Sequence, residues 1–456
     1  MKPIVIRSAI VAALGGLLFG FDTAVISGTT MALTAQFNLS SFALGFTVAT
    51  ALIGTIVGAL TAGRPSDAYG RRIVLMAIGA LYLLSAIGSA IANDWYLFML
   101  ARFIGGIGVG GASVTAPIYT AEIAPPRLRG RLVGLVQFNV VLGILLAYLS
   151  NYLIEQAMPQ EVAWRWMLGV EAIPAALFLL LLFTIPESPR WLFLRGRRDE
   201  ARINLERLST TAQEASEAEQ EILQAMAEDA SRSGKVPFFI SRHRRVILLA
   251  VAIAAFNQLS GINAIMYYAP DIFRMAGATG DVALIQAIAV GGMNLIATMV
   301  ALTLIDRFGR RKLMLVGSLG YLVSLGTIAV LFFLRGSDVS GATSALVLAC
   351  LLLFIASHAF GQGSVIWVFI SEIFPNRIRA RGQALGSFTH WFFAAVISWT
   401  FPWIATGMGP GAAFALFFLC MVGQLVWVLT VMPETKGVPL EEMEHKLLPE
   451  TASPTR

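Results

Sequence analysis

Apolar stretches long enough to cross a hydrocarbon layer recur along the whole chain, at residues 8–32, 42–63, 73–92, 96–120, 131–154, 166–185, 246–270, 282–305, 312–334, 343–370, 382–406 and 412–432. A helix needs about 20 apolar residues to span a bilayer, and a backbone in lipid must satisfy its own hydrogen bonds. The pattern therefore predicts an all-α membrane protein of twelve transmembrane helices, spans 1 to 12. Composition agrees, with 57% hydrophobic and 13% charged residues against about 25% charged for a soluble domain. The first stretch is too long for a cleaved leader, and no small-residue cleavage site follows it.

Basic residues concentrate in alternate loops. All the Lys and Arg except Arg102, Arg165, Arg274 and Arg335 fall on one side if both termini are cytoplasmic. This is the positive-inside pattern, and it predicts a multi-pass membrane protein with both termini cytoplasmic. The net charge of +6 then reports topology and lipid contact, and implies no nucleic-acid partner. Cys350 and Cys420 fall in spans, as small packing residues. Neither a hydrolase signature nor a metal-ligand spacing occurs, so an enzyme, a cofactor and a metal are not expected.

The two halves repeat each other. Gly63-Arg-Pro-Ser-Asp67-Ala-Tyr-Gly70-Arg71-Arg72 after span 2 answers Asp306-Arg-Phe-Gly309-Arg310-Arg311 after span 8. Glu122-Ile-Ala-Pro-Pro-Arg-Leu-Arg129 after span 4 answers Glu372-Ile-Phe-Pro-Asn-Arg-Ile-Arg379 after span 10. Pro186-Glu187-Ser-Pro-Arg190 after span 6 answers Pro433-Glu434-Thr-Lys-Gly437 after span 12. Three ordered pairs about 240 to 250 residues apart indicate a duplicated bundle. The organisation read from this is an N-terminal six-helix bundle at 1–190, a cytoplasmic helical linker at 191–245, a C-terminal bundle at 246–433 and a tail at 434–456. Within the linker, apolar Ile203, Leu205, Leu208, Ile222, Leu223 and Met226 recur among charges as in amphipathic helices. A short tail helix is expected from Leu440 to Leu448, ahead of a disordered end. The repeated loop charges, Asp67, Arg71, Glu122, Arg129, Glu187 and Arg190 with Asp306, Arg310, Glu372, Arg379 and Glu434, read as a cytoplasmic gate network, although exposed ion pairs are individually worth about 0–1 kcal/mol.

Polar groups inside the spans carry the functional information. Asp22 in span 1 and Arg102 in span 4 are opposite charges in hydrocarbon, where mutual pairing is the simplest account. Glu171, near the expected start of span 6, reads as interfacial. Gln137 in span 5 suits either a ligand or a neighbouring helix. Span 7 crowds Asn257, Gln258, Ser260, Asn263, Tyr267 and Tyr268 around Gly261, too many polar groups for a lipid-facing helix. On an ideal helix Gln258 and Asn263 point about 140° apart, so a break at Gly261 is expected, as in discontinuous transporter helices. Asn294, Gln362, Trp367, His390 and Trp391 extend the set. Amides fork hydrogen bonds to neighbouring hydroxyls and indoles cover the apolar face of a sugar ring, chemistry that suits a neutral polyhydroxy ligand.

With these residues in view, the chain resembles the sugar porter family of the major facilitator superfamily over nearly its whole length. The Gly-Arg-Arg loops, both Glu-x6-Arg motifs, Pro186-Glu-Ser-Pro-Arg190, Gln258-Leu-Ser-Gly-Ile-Asn263 and Pro433-Glu-Thr-Lys-Gly437 carry the resemblance. It implies alternating access between two six-helix bundles. Gln137, Gln258, Asn263, Asn294, Trp367 and Trp391 would bind sugar, with Phe19 lining the site, and Tyr267 and Tyr268 would form an occluding lid; Asn257 and His390 are expected to join the sugar contacts from the polar set above, not from the resemblance. The chain departs from the family's bacterial proton–xylose symporters in having Ile144 for a second Gln, Asn257 for the first Gln of an amide pair, His390 for an amide, and Ser364 for a Pro. A hexose is therefore slightly favoured over a pentose. His390 is read as a neutral hydrogen-bonding group in place of that amide, with direct donation to sugar and titration near neutral pH as the other options. The family's facilitators lack a carboxylate at the position of Asp22, so the expected function is proton-coupled monosaccharide import by a monomer, with Asp22 and Arg102 as the coupling pair. A facilitative uniporter and a non-transporting sugar sensor are the alternatives.

Overall fold

The computed structural model describes residues 2–231, 237–335, 341–375, 377–438 and 440–447. Helices alone make up its regular structure among these residues. Eleven segments are long and apolar enough to cross a membrane. A twelfth, Arg379–Gly407, matches them in length, but His390, Thr389, Thr400 and Pro402 lower its mean hydropathy below theirs.

The observed spans differ in detail from the apolar runs. Span 1 is one helix only over Pro3–Val25, tightens to a 3-10 turn at Ile26–Gly28, and is followed by a separate helix, Thr30–Phe37. Span 6 begins earlier than hydropathy suggests, as Gln160–Gly169, and resumes as Ala172–Leu182 after a break at Val170–Glu171. Pro159 opens the first piece; the charged Glu161 and Arg165 hid it from a hydropathy reading. Span 7 runs Arg244–Leu259, breaks at Ser260–Gly261, and continues as Ile262–Tyr267. Span 10 carries a π-turn at Ala359–Gly363 between Gly341–His358 and Ser364–Ile373.

Chain contacts divide the molecule into two units, residues 1–37 with 50–235, and 38–49 with 236–456. The packing inside each repeats. In the first unit span 1 (Pro3–Val25) lies on span 5 (Arg129–Ala157), and span 3 (Arg71–Ile91) lies on span 4 (Trp95–Ile123) and span 6. In the second, span 7 lies on span 11 (Arg379–Gly407), and span 9 (Arg310–Arg335) lies on span 10 and span 12 (Pro410–Thr430). The cores are correspondingly separate, one around Val74, Tyr82, Tyr119 and Phe178, the other around Ile253, Phe369, Phe374 and Val428.

Of the stretch between the bundles, Pro189–Leu194, Arg198–Leu208 and Ala212–Ser231 are helical. They belong to the first unit and close over a small core of Trp191, Leu192, Phe193, Leu205 and Ala215. The Trp191 indole donates to the Asp67 carbonyl at 2.8 Å, and Arg195 donates to the same oxygen at 2.7 Å. The tail helix runs Leu440–Leu447; the disordered end expected beyond it lies outside the described residues.

Candidate functional site

In the first unit, Arg102 reaches Asp22 through two nitrogens. Nη1 donates to Oδ1 at 2.6 Å, and Nη2 donates to Oδ2 at 3.3 Å and to the Asp22 carbonyl at 3.2 Å. Both side chains are almost wholly buried, at 3% and 4% exposure. Desolvating two charges is costly unless the geometry is good and the remaining valences are met, and the forked contact meets that condition. Glu171 joins them. Because span 6 starts at Gln160, Glu171 sits inside the span, 1% exposed, with its carboxyl beside that of Asp22 and within the field of Arg102. Its Oε1 has no hydrogen-bond partner among the described residues. The interfacial reading of Glu171 is thus corrected: the site holds two carboxyls and one guanidinium.

The second unit assembles the amide and aromatic residues. Gln258, 1% exposed, donates from Nε2 to Asn257 Oδ1 at 2.9 Å, and the same nitrogen lies 3.2 Å from His390 Nε2. Its Oε1 is unpartnered among the described residues. The ring of His390 stands 5.2 Å from that of Trp367 and 4.8 Å from that of Trp391. Trp367 is 38% exposed and Trp391 is buried. Asn263 is half-buried, and Asn294 accepts from Thr298 at 3.4 Å. Gly261 makes the break that separates Gln258 from Asn263: its φ of 86° is left-handed, and a Cβ there would fall 2.5 Å from the Phe417 ring.

Tyr267 and Tyr268 are both buried, and Tyr268 is tied down, its hydroxyl donating to the Ser398 carbonyl at 3.0 Å and its ring stacked on Phe401. Gln362 is fully buried, with Nε2 near Met421 Sδ. In the first unit Phe19 is half-buried against the core and Gln137 is exposed. The sequence reading missed His358, half-buried on the last turn before the π-turn, whose Nδ1 lies 2.7 Å from Tyr321 Oη. A second histidine in an apolar span was the available signal.

The loop charges form the same small network twice. Arg71 pairs with Glu122 at 2.9 Å and Asp67 at 3.1 Å, while Glu187 accepts the backbone N–H groups of Arg71 and Arg72. Arg310 pairs with Glu372 at 2.7 Å, while Glu434 accepts the N–H groups of Arg310 and Arg311. Gly70 and Gly309, with φ of 103° and 89°, turn the chain so that these helix N-termini meet a carboxylate, the favourable end for an anion. Thr435 adds a bond to Glu372 at 2.5 Å. Within Glu-x6-Arg the two charges do not meet: Arg129 is exposed, and Arg379 bonds the Phe374 carbonyl. Arg190 is half-buried. The side chain of Asp306 lies outside the described residues.

A family model described as "Sugar (and other) transporter" matches residues 8–447. The chain belongs to the sugar porter family of the major facilitator superfamily. This sugar porter is therefore a multi-pass membrane transporter and not an enzyme. It is 38% identical to the D-xylose-proton symporter of Escherichia coli (strain K12), over 97% of this chain and 95% of that protein. It is 36% identical to the glucose transport protein of Synechocystis, over 95% of each, and 35% identical to the arabinose-proton symporter of Bacillus subtilis, over 96% and 94%. Among solved structures it resembles the inward open conformation of the xylose transporter XylE from E. coli, with a TM-score of 0.85 and 36% identity over 97% of this chain and 100% of that one.

Proposed function

We propose that this sugar porter couples inward movement of a proton to import of a monosaccharide across a bacterial inner membrane, with both termini cytoplasmic. The observation that carries the reading is the buried Asp22–Arg102 pair with Glu171 beside it. Relatives named as D-xylose- and arabinose-proton symporters support coupling, and one named as a glucose transport protein keeps hexoses in view. Asn257, Gln258, Asn263, Asn294, Trp367, His390 and Trp391, all in the second unit, serve as sugar contacts. Gln258 Oε1 is the acceptor already poised for a ligand hydroxyl.

In the cycle, a proton neutralises Asp22 and removes the charge that holds Arg102 at Oδ1 and Oδ2. Glu171 then takes the guanidinium, so the cation is never left unpaired in a low-dielectric site, where an unpaired charge is very costly. The shift of Arg102 between two carboxyls is the step that senses the proton. The paired networks around Arg71 and Arg310 serve as the cytoplasmic gate that alternating access must loosen.

The test is sugar-evoked proton uptake in proteoliposomes, run with glucose, xylose and arabinose at two external pH values. Alkalinisation of the medium with one of these sugars is expected. Sugar flux without proton movement would replace symport with facilitated uniport.

A further inference from the structure

Tyr82, Ser85 and Ser89 on span 3 are spaced by three and four residues and so share one stripe of the helix. They are 0%, 1% and 1% exposed, and none of their hydroxyls has a hydrogen-bond partner among the described residues. This is unlike most hydroxyls elsewhere in the spans, which donate back to a carbonyl of their own helix, as Thr120 does to Ala116, Ser318 to Met314 and Ser357 to Leu353 at 2.7–2.8 Å. Buried polar groups without protein partners are as a rule hydrated, by waters making about three hydrogen bonds each.

The stripe leads to the carboxyls. A methyl group added to Gly105 would overlap Ser85 Oγ and lie 3.6 Å from Asp22 Oδ1. The two oxygens are therefore within about 6 Å of each other, the reach of a single bridging water. The charges of Asp22 and Glu171 both bear on the Tyr82 phenol. The ionisable groups at this end are Asp22 from span 1, Tyr82 from span 3, Arg102 from span 4 and Glu171 from span 6. From span 5, the neutral Asn151 is tied to the Val25 carbonyl. At the other end of the stripe, Arg165 donates to the carbonyls of Ala90 and Ala92 at 2.8 Å and to Asn93 Oδ1 at 2.9 Å. That end of span 3 is thus fixed by a charged, polar cap one residue beyond Ser89.

We propose that Tyr82, Ser85 and Ser89 line a hydrated file along span 3 through which protons pass between the Ala90–Asn93 end and the Asp22–Glu171 carboxyls, apart from the sugar contacts. The proposal rests on the proton-symport reading above. The transfer is a relay: a hydronium at the mouth gives up one proton, each water accepts one and passes another on, and the last O–H bond forms on a carboxylate oxygen of Asp22. The hydroxyls hold the waters in line and end each passage as they began it.

The test replaces the stripe with apolar groups, as Ser85→Val with Ser89→Val, in proteoliposomes. Uptake driven by a pH step is expected to fall at least tenfold, while sugar counterflow, which needs no net proton transfer, stays within twofold; Ser85→Thr is expected to restore pH-driven uptake. Parental coupling together with unchanged pH-driven uptake in the double variant would overturn the file alone. Parental protein that moves no proton with sugar would overturn symport and the file with it. As a check independent of the valine variants, Ser89→Cys is expected to react with a charged methanethiosulfonate, mapped by mass spectrometry at position 89. An inert thiol there would overturn the proposal.

Discussion

Glu187 grips the peptide backbone of Arg71: its carboxylate accepts that residue's N–H at 3.0 Å and the next one at 3.1 Å. Burial raises its pKa above the ordinary 4.5, against the opposite pull of these bonds and of the Arg71 charge. The folded protein therefore holds this proton at a pH where the unfolded chain has released it. The resulting contribution to stability is full below 4.5 and is lost as pH rises through the higher folded value. Glu187→Gln is expected to lower the melting temperature by a few degrees, for a loss of about 1–3 kcal/mol. The wild-type advantage should be larger near pH 4 than near pH 7, as read by thermal unfolding in detergent. An advantage that grows with pH would contradict the raised pKa.

Asp22→Asn should abolish accumulation of sugar against a gradient yet preserve exchange. Normal pH-driven accumulation in this variant would remove Asp22 from the coupling mechanism. Arg102→Met should be the more destabilising change, by about 3–5 kcal/mol, because it strands two buried carboxyls, whereas Asn at position 22 leaves Arg102 with Glu171. Denaturation of the two variants side by side measures the order.

Gln258→Ala should raise the KM for sugar about tenfold, the worth of roughly one hydrogen bond of 1–1.5 kcal/mol, with expression unchanged. His390→Gln should transport at a rate near that of the parent, since the imidazole is read as a neutral stand-in for an amide, while His390→Ala should not. Labelled uptake over a concentration series separates the three.

Gly261→Ala should cost about 1–2 kcal/mol for the left-handed backbone, and more for the overlap with Phe417. Gly261→Ala combined with Phe417→Leu should recover part of the lost folding yield, a coupling that a double-mutant cycle reads directly.

The spans and the pairing of Asp22 with Arg102 were legible in the sequence, because lipid imposes length on a helix and a partner on a charge. Glu171 was not, because two charges and two tryptophans in 160–166 disguise the start of span 6. The break at Gly261 could be read from the crowding of amides around it. The true partners of Glu122 and Glu372 could not. Each pairs with an arginine on another helix, and the nearby Arg129 and Arg379 of the same motif are carried elsewhere by the turn. Tyr268, expected as a lid, is held by Ser398, a backbone acceptor with no sequence signature.

The π-turn at Ala359–Gly363 governs the aim of everything after it in span 10. One residue more or less in such a turn rotates the following helix by about 100°. The segment Ser364–Ile373 carries Trp367, which stands against His390, and Glu372, which pairs with Arg310. Relaxing that turn to α-helix would swing the indole and the carboxylate together, so a disturbance at the proposed sugar contacts would reach the ion pair as a rotation of one short rod.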